Sequence, residues 1–205
     1  MNARPPIPLP AVLAVCAALA AAASVSAEVP AAVRAKAAPV FAALDRIAEE
    51  ASARAVPKRG GPVLPAPGTR RLVFSEAELN AYAACRVDVE GQPYIKSAEF
   101  KLLGGDRIEG RVGLDFGKAP ASGLMAQKQD LLFAARVETK DGLIRITLDK
   151  LYLGTQAVSP DFVDMIIGFA SRLQGVEAMS LKDWYSLPDG VLRLESRPGE
   201  VVVIY

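Results

Sequence analysis

The sequence predicts an α+β fold in which a long, twisted antiparallel meander sheet packs against an N-terminal amphipathic helix and a second, apolar helix. Three observations support this prediction. Apolar residues recur with helical spacing over residues 30–55, the period changes to strict alternation over most of residues 94–149, and an almost wholly apolar run follows Ser159-Pro160-Asp161. Because each of these segments has an apolar side to bury, we expect a sheet covered by helices.

The first 27 residues are typical of an export signal. Arg4 is their only charged residue, the run from Ala11 to Ala23 is small and apolar, and Val25-Ser26-Ala27 places small residues before Glu28. Such a run engages a translocon but is short for a bilayer span, which takes about 20 apolar residues. We therefore expect a signal peptide, cleavage before Glu28 and a periplasmic or secreted protein.

Two alternatives to cleavage before Glu28 stay open. One is retention of the apolar run as an N-terminal anchor. The other is a lipoprotein that carries lipid on Cys16, although Val15 precedes this cysteine where a lipobox has a small residue.

The length and the charge of the mature chain limit its number of domains and its possible partners. Removing residues 1–27 leaves 178 of the 205 residues, the size of one domain. The chain has 24 basic and 23 acidic residues, and loss of Arg4 leaves 23 of each, a net charge of zero. Since nucleic-acid affinity comes largely from Lys and Arg at phosphates, we expect no nucleic-acid partner.

The absence of histidine removes several kinds of chemistry. No histidine occurs anywhere in the chain, which excludes Ser-His-Asp and Cys-His devices and the usual zinc sites. Only Cys85 would survive cleavage, so no intramolecular disulfide is expected, and its apolar neighbours indicate a buried, inert thiol. We expect no metal and no cofactor.

The first predicted helix occupies residues 28–56. Its apolar positions follow the i, i+3, i+4 rhythm of an amphipathic helix; they are Val33, Ala37, Val40, Phe41, Leu44, Ile47, Ala48 and Ala51. Pro39 should kink this helix or mark the start of its regular part. Residues 57–69, rich in proline and glycine, read as a connector to residues 70–205, which form one domain with the helix.

A strand followed by a capped helix opens the main part of the domain. Residues 70–74 form a short strand, and Ser75 and Glu78 form a capping box for a helix that runs to about Ala84. The box indicates structure and carries no chemistry.

Four strands of about ten residues follow. Their apolar faces alternate with charged residues, which predicts an antiparallel sheet with one dry and one wet side. Turns are expected at Gly104-Gly105 and at Lys140-Asp141-Gly142. The apolar face comprises Ala98, Phe100, Leu102, Ile108, Gly110, Val112, Leu114, Phe116, Leu131, Phe133, Ala135, Val137, Ile144, Ile146 and Leu148.

The last third of the chain contains the second helix and a closing hairpin. Ser159 caps a helix over residues 159–173 that is apolar nearly all round, so it must be buried or face an apolar ligand. Residues 191–195 and 201–205 form the hairpin, with a turn at Arg197-Pro198-Gly199.

No arrangement of residues indicates catalysis. Paired carboxylates such as Glu76 and Glu78 lie at helix starts or on charged helix faces, and no serine has an obvious base. The long dry face suggests instead an apolar groove between sheet and helices. The candidate lining residues are Ile108, Val112, Leu114, Phe116, Phe133, Ile144, Ile146, Phe162, Ile166 and Phe169.

Two segments carry a resemblance to a known superfamily. Phe74-Ser75-Glu76-Ala77-Glu78-Leu79-Asn80-Ala81-Tyr82 is similar to a T/S-E-x-E-L-N segment of exported bacterial proteins of unknown function, and residues 187–191 and 198–203 are similar to their L-P-x-G-[IV] and G-x-[VI]-V-[VI] hairpin. The order of elements over residues 70–205 resembles the periplasmic branch of the TULIP-like (tubular lipid-binding) superfamily. The resemblance implies a helix wrapped by a twisted sheet that shields lipid, without cofactor or reaction.

The leading hypothesis is therefore a non-enzymatic periplasmic protein that binds a lipid or another hydrophobic ligand, in transport or envelope assembly. The alternative is a structural or interaction module of the cell envelope with a solid core and a protein partner. Peripheral contact with the membrane and a histidine-free hydrolase stay open as further readings.

Overall fold

A computed structural model describes residues 29–55, 70–89, 95–115, 128–159, 161, 163–164, 180 and 182–205. The expected signal peptide, the connector and residues 116–127 lie outside these residues. The described elements are helices α1 (Ala31–Ala55) and α2 (Glu76–Val89) and strands β1 (Arg71–Ser75), β2 (Ile95–Gly104), β3 (Arg107–Asp115), β4 (Lys128–Lys140), β5 (Leu143–Leu153), β6 (Gln156–Ala157), β7 (Tyr185–Ser186), β8 (Arg193–Arg197) and β9 (Glu200–Ile204).

The predicted meander is confirmed. Strands β2, β3, β4 and β5 pair antiparallel in chain order, and β6 and β7 both pair with β5, in one strongly curled sheet. Asp141 and Gly142 form the β4–β5 turn with φ of 51° and 76°. Two positive φ angles are the mark of a type I′ turn, whose twist suits an antiparallel hairpin.

A second, three-stranded sheet combines β1, the first described strand after α1, with the last two strands of the chain, β8 and β9. Its order is β1-β9-β8, with Arg71 opposite Ile204 and Ser75 opposite Glu200. The hairpin of β8 and β9 was predicted, whereas its pairing with β1 was not. A bridge between Leu103 and Pro198 connects this small sheet to the turn end of β2.

The capping box at the start of α2 is confirmed. The Glu78 carboxylate accepts hydrogen bonds from the Ser75 backbone N–H at 2.8 Å and from its hydroxyl at 2.7 Å, and the Glu78 N–H donates to Ser75 Oγ at 3.3 Å. These bonds hold the pKa of Glu78 below its ordinary value. The helix extends to Val89 rather than ending near Ala84.

The next turn of α2 covers the free edge of the large sheet. Asn80 Nδ2 donates to the Phe100 carbonyl at 2.8 Å, and the Phe100 N–H donates to Asn80 Oδ1 at 2.6 Å. Glu76 accepts from the Leu102 N–H at 2.7 Å. Because an edge strand presents unpaired backbone groups, these side chains bond to backbone groups of β2 that no strand of the described part pairs with. We call this contact the α2–β2 seam.

Helix α1 packs on α2 and shares a buried cluster with the small sheet. It begins at Ala31 and continues through Pro39, so proline does not mark the start of the helix. Its apolar side is buried, and the Phe41 ring lies 4.7 Å from that of Tyr82 on α2. A part-buried ion pair between Arg70 and Glu50, at 2.7 Å, ties the chain before β1 to α1.

The predicted second helix is described only in part. Asp161, Val163 and Asp164 are helical, and Val163 is buried against Leu151 of β5. Among the described residues, the helix that covers the inner, apolar face of the large sheet is α2. No described helix is long and apolar enough to cross a membrane.

Candidate ligand-binding site

The predicted groove residues that the structure describes all lie on the inner face of the large sheet, and most are buried. Buried are Ile108, Val112, Leu114, Ile144 and Ile146, while Phe133 is half-buried. Phe116, Phe162, Ile166 and Phe169 lie outside the described side chains. As a ligand site, the set stays a prediction.

The buried groove residues on the inner face fall into two packed regions. Ile108, Ile144 and Ile146 belong to the core that α1, α2 and the small sheet share. Val112 and Leu114 pack with Ala83, Val87 and other residues at the far end of α2. Helix α2 therefore fills much of the space in which the sequence predicted a groove.

One opening in this packing persists between α2, the large sheet and the small sheet. This apolar slot has a volume of about 100 Å³, and its lining is almost wholly apolar. The lining residues are Leu79, Tyr82, Ala83, Phe100, Leu102, Ile108, Val137, Ile144, Leu194, Ser196 and Val201. Ile108 and Ile144 are the two predicted groove residues that it contains.

The size of the slot limits what it holds. Leu79, Val137 and Leu194 are half-buried, which places the solvent side of the slot between the first turns of α2, β4 and β8. An apolar cavity of about 150 Å³ accepts benzene, and drug-sized ligands occupy roughly 300–1,000 Å³. At about 100 Å³ the slot accepts a small apolar group or the end of an alkyl chain.

A larger cavity lies on the opposite, outer face of the same sheet. This outer trough is open and has a volume of about 740 Å³. Most of its lining consists of outward side chains from β2 to β5, with Glu76 and Asn80 of α2 at its β2 edge. The lining residues are Glu76, Asn80, Glu99, Phe100, Lys101, Glu109, Gly110, Arg111, Leu132, Phe133, Ala134, Lys150 and Tyr152.

Charged side chains on the β2 and β3 half of the trough face one another across the strands. Glu99 is opposite Arg111, and Lys101 is opposite Glu109. Arg111 also donates to Asp130 at 2.7 Å, and this hydrogen bond raises the pKa of the guanidinium above its ordinary value. Opposite charges on facing positions support strand pairing.

The titratable groups of the described residues offer little chemistry. Burial raises the pKa of the Cys85 thiol, which is buried and free as predicted. Burial, with Asp183 and Asp164 nearby, raises the pKa of Tyr185 to about 12, and its hydroxyl donates to the Ser180 carbonyl at 2.7 Å. No group of three or more Cys, Asp or Glu side chains in the described part could hold a metal ion.

Two features of these cavities were missed from sequence. The slot depends on α2 and on the small sheet, whose position no local pattern reveals. The trough could have been inferred from one sequence pattern: Leu132 and Tyr152 are large apolar residues at outward positions of alternating strands.

Comparison of the chain with family models, with curated proteins and with solved structures finds no match.

Proposed function

We propose that this is a non-enzymatic binding protein for a hydrophobic ligand, acting in the periplasm or after secretion, and that the apolar slot receives the ligand. The observation that carries the proposal is the slot lining, to which α2, the large sheet and the small sheet all contribute and which contains almost no polar surface. Protein interiors normally close such spaces at crystal-like density. An apolar space with a solvent side favours an apolar occupant over water.

The slot volume defines the part of a ligand that enters it. About 100 Å³ takes the end of an acyl chain, and the rest of a lipid would lie along the half-buried side formed by Leu79, Val137 and Leu194. Deeper insertion requires α2 to move away from the sheet. The α2–β2 seam, with its three hydrogen bonds, opposes that movement.

The first experiment asks whether the protein carries a ligand. Mature protein purified from the envelope fraction is extracted with organic solvent, and the extract is analysed by mass spectrometry. In parallel, methyl NMR follows a titration with octanol, a neutral alkyl chain. We expect shifts confined to Ile108, Ile144, Leu194 and Val201, which line the slot.

A matched pair of variants identifies the site. Val137→Phe fills the solvent side of the slot, while Val73→Phe makes the same change on β1, where Val73 is 53% exposed and lies outside the slot. We expect octanol binding to fall at least tenfold in the first variant and to stay unchanged in the second, with both folded by circular dichroism. A ligand-free preparation in which octanol shifts no slot methyl would refute the proposal.

A second candidate function has one observation in its favour. Five predicted groove residues are packed in the core, which favours a structural or interaction module of the envelope. If no ligand is extracted and octanol does not bind, crosslinking in the envelope should then recover one protein partner.

A further inference from the structure

We infer that the outer trough is a second binding site, for an anionic amphiphile: one carboxylate, sulfate or phosphate group on a short alkyl or aromatic body. This site is independent of the apolar slot, because it lies on the other face of the sheet and shares only Phe100 with the slot lining. Its volume of about 740 Å³ falls in the range of small-molecule sites.

The β4 and β5 half of the trough has an apolar floor. Leu132 and Tyr152 face each other across these strands, and each is 40% exposed. Ala134 is the next outward residue of β4, so the floor continues along the strand. Elsewhere in the trough, the outward positions on the neighbouring strands β2 and β3 are charged. Large exposed apolar residues gathered in a cavity favour a ligand with an apolar body.

Among the described residues that line the trough, one cation lies beside this floor and has no acid opposite it in the strand pairing. The other charges of the trough are matched: Glu99 and Lys101 face Arg111 and Glu109, and Glu76 accepts from the Leu102 backbone. Lys150 faces Ala134 instead.

The acid that precedes Lys150 in the sequence is already paired with another cation. Asp149 receives a hydrogen bond from Arg136 at 2.9 Å. Lys150 and Tyr152 are two residues apart on one face of β5, so the ammonium group lies at the edge of the apolar floor. A ligand with its anionic head group at Lys150 and its apolar body over Leu132 and Tyr152 matches both the cation and the apolar floor.

NMR titration with matched eight-carbon probes tests the assignment. Octanoate, octanol and octylammonium share an eight-carbon chain and differ in the head group, which is anionic, neutral and cationic, respectively. We expect octanoate to shift the signals of Leu132, Ala134 and Tyr152 with a dissociation constant that is roughly millimolar, as a ten-atom ligand on an open surface allows. Octylammonium and octanol should bind the trough at least fivefold more weakly.

Variants assign the head and the body of the ligand separately. Lys150→Gln should weaken octanoate binding at least fivefold and Lys150→Arg should preserve it, with Lys140→Gln, outside the trough, as the control. Leu132→Ala should weaken binding at least threefold, whereas Leu143→Ala, an equally exposed leucine at 37%, should not. Octanol binding in the slot is recorded in the same samples.

The outcomes separate the two sites. Loss of octanoate shifts in Lys150→Gln, with slot shifts unchanged, supports the trough site whether or not the slot proposal succeeds. Equal binding of the three probes, or octanoate shifts that Lys150→Gln leaves unaltered, would overturn it. Tighter binding of octanoate than of 3-phenylpropionate would point to a lipid as the source of the ligand, and the reverse to a soluble aromatic acid.

Discussion

Phe133 shows how one glycine shapes the inner face of the sheet. Phe100, Gly110 and Phe133 face one another in a row across β2, β3 and β4. The Phe133 ring lies over Gly110, so that a side chain there would meet the ring itself, and the Phe100 and Phe133 rings meet edge to face at 6.4 Å. An aromatic ring over a strand glycine replaces the packing that glycine lacks.

Replacing Gly110 with alanine should destabilise the protein by about 1–3 kcal/mol, because the added methyl group overpacks a filled site. The control is Gly113→Ala on the same strand, where the added group meets only the Ser97 hydroxyl end and the cost should be smaller. Urea unfolding followed by circular dichroism measures both. Equal effects would contradict the role assigned to Phe133.

The raised pKa of Tyr185 makes the free energy of unfolding depend on pH in the alkaline range. Its pKa is raised to about 12 from an ordinary value of 10.0, so the folded state favours the neutral phenol. The stability from this preference is complete below pH 10 and is lost as pH rises from 10 through 12. Tyr185→Phe should reduce the loss of unfolding free energy between pH 9 and 11. Urea unfolding at the two pH values measures the loss, and an unchanged loss in Tyr185→Phe would contradict this role.

At the scale of elements, the polar side chains of the segment 74–82, which carries the family resemblance, have structural roles at α2. Ser75 and Glu78 cap the helix, and Glu76 and Asn80 bind the β2 edge. Capping was predicted from the S-x-x-E spacing because it acts within one turn. The edge contacts could not be predicted, since Asn80 and Phe100 lie 20 residues apart in the chain.

Asn80→Ala should cost about 1–3 kcal/mol for each Phe100 backbone group that it leaves unsatisfied and buried. Hydrogen exchange at the Phe100 amide should accelerate, and unfolding free energy should fall. Asn80→Asp keeps an acceptor for the N–H but places a carboxylate against the Phe100 carbonyl, so we expect it to restore stability only below about pH 4, where it is protonated. Unchanged exchange in Asn80→Ala would show that the seam is not stabilising.

Over the whole molecule, one core unites elements from both ends of the described chain. Ile47 of α1, Ile144 of β5 and Val203 of β9 belong to the same buried cluster. Gly190, with φ of +84°, lets the chain before β8 pass against Ile47, where a side chain would collide. That residues 28–56 and 70–205 form one domain stays a prediction, and it can be tested through this shared core.

One domain predicts one unfolding transition. Ile47→Ala and Ile144→Ala, each removing a fully buried side chain, should each cost about 2–5 kcal/mol. Fluorescence of Trp184, the only tryptophan, reports the β7 end of the large sheet, and far-UV circular dichroism reports all elements. The two signals should shift together in both variants. If Ile47→Ala shifts only one of them, α1 unfolds separately.

Local patterns in the sequence were sufficient to predict the alternating strands, the turn at Asp141-Gly142, the helix cap at Ser75 and the inner position of Ile108, Val112 and Ile144. Periodicity and turn chemistry act over a few residues, so a single chain displays them. Three features became visible only in the assembled fold: how α2 fills the inner face, where the slot lies, and that Leu132, Tyr152 and Lys150 share a trough. Those features arise because strands and helices distant in sequence meet, and the space between them depends on how closely their side chains pack.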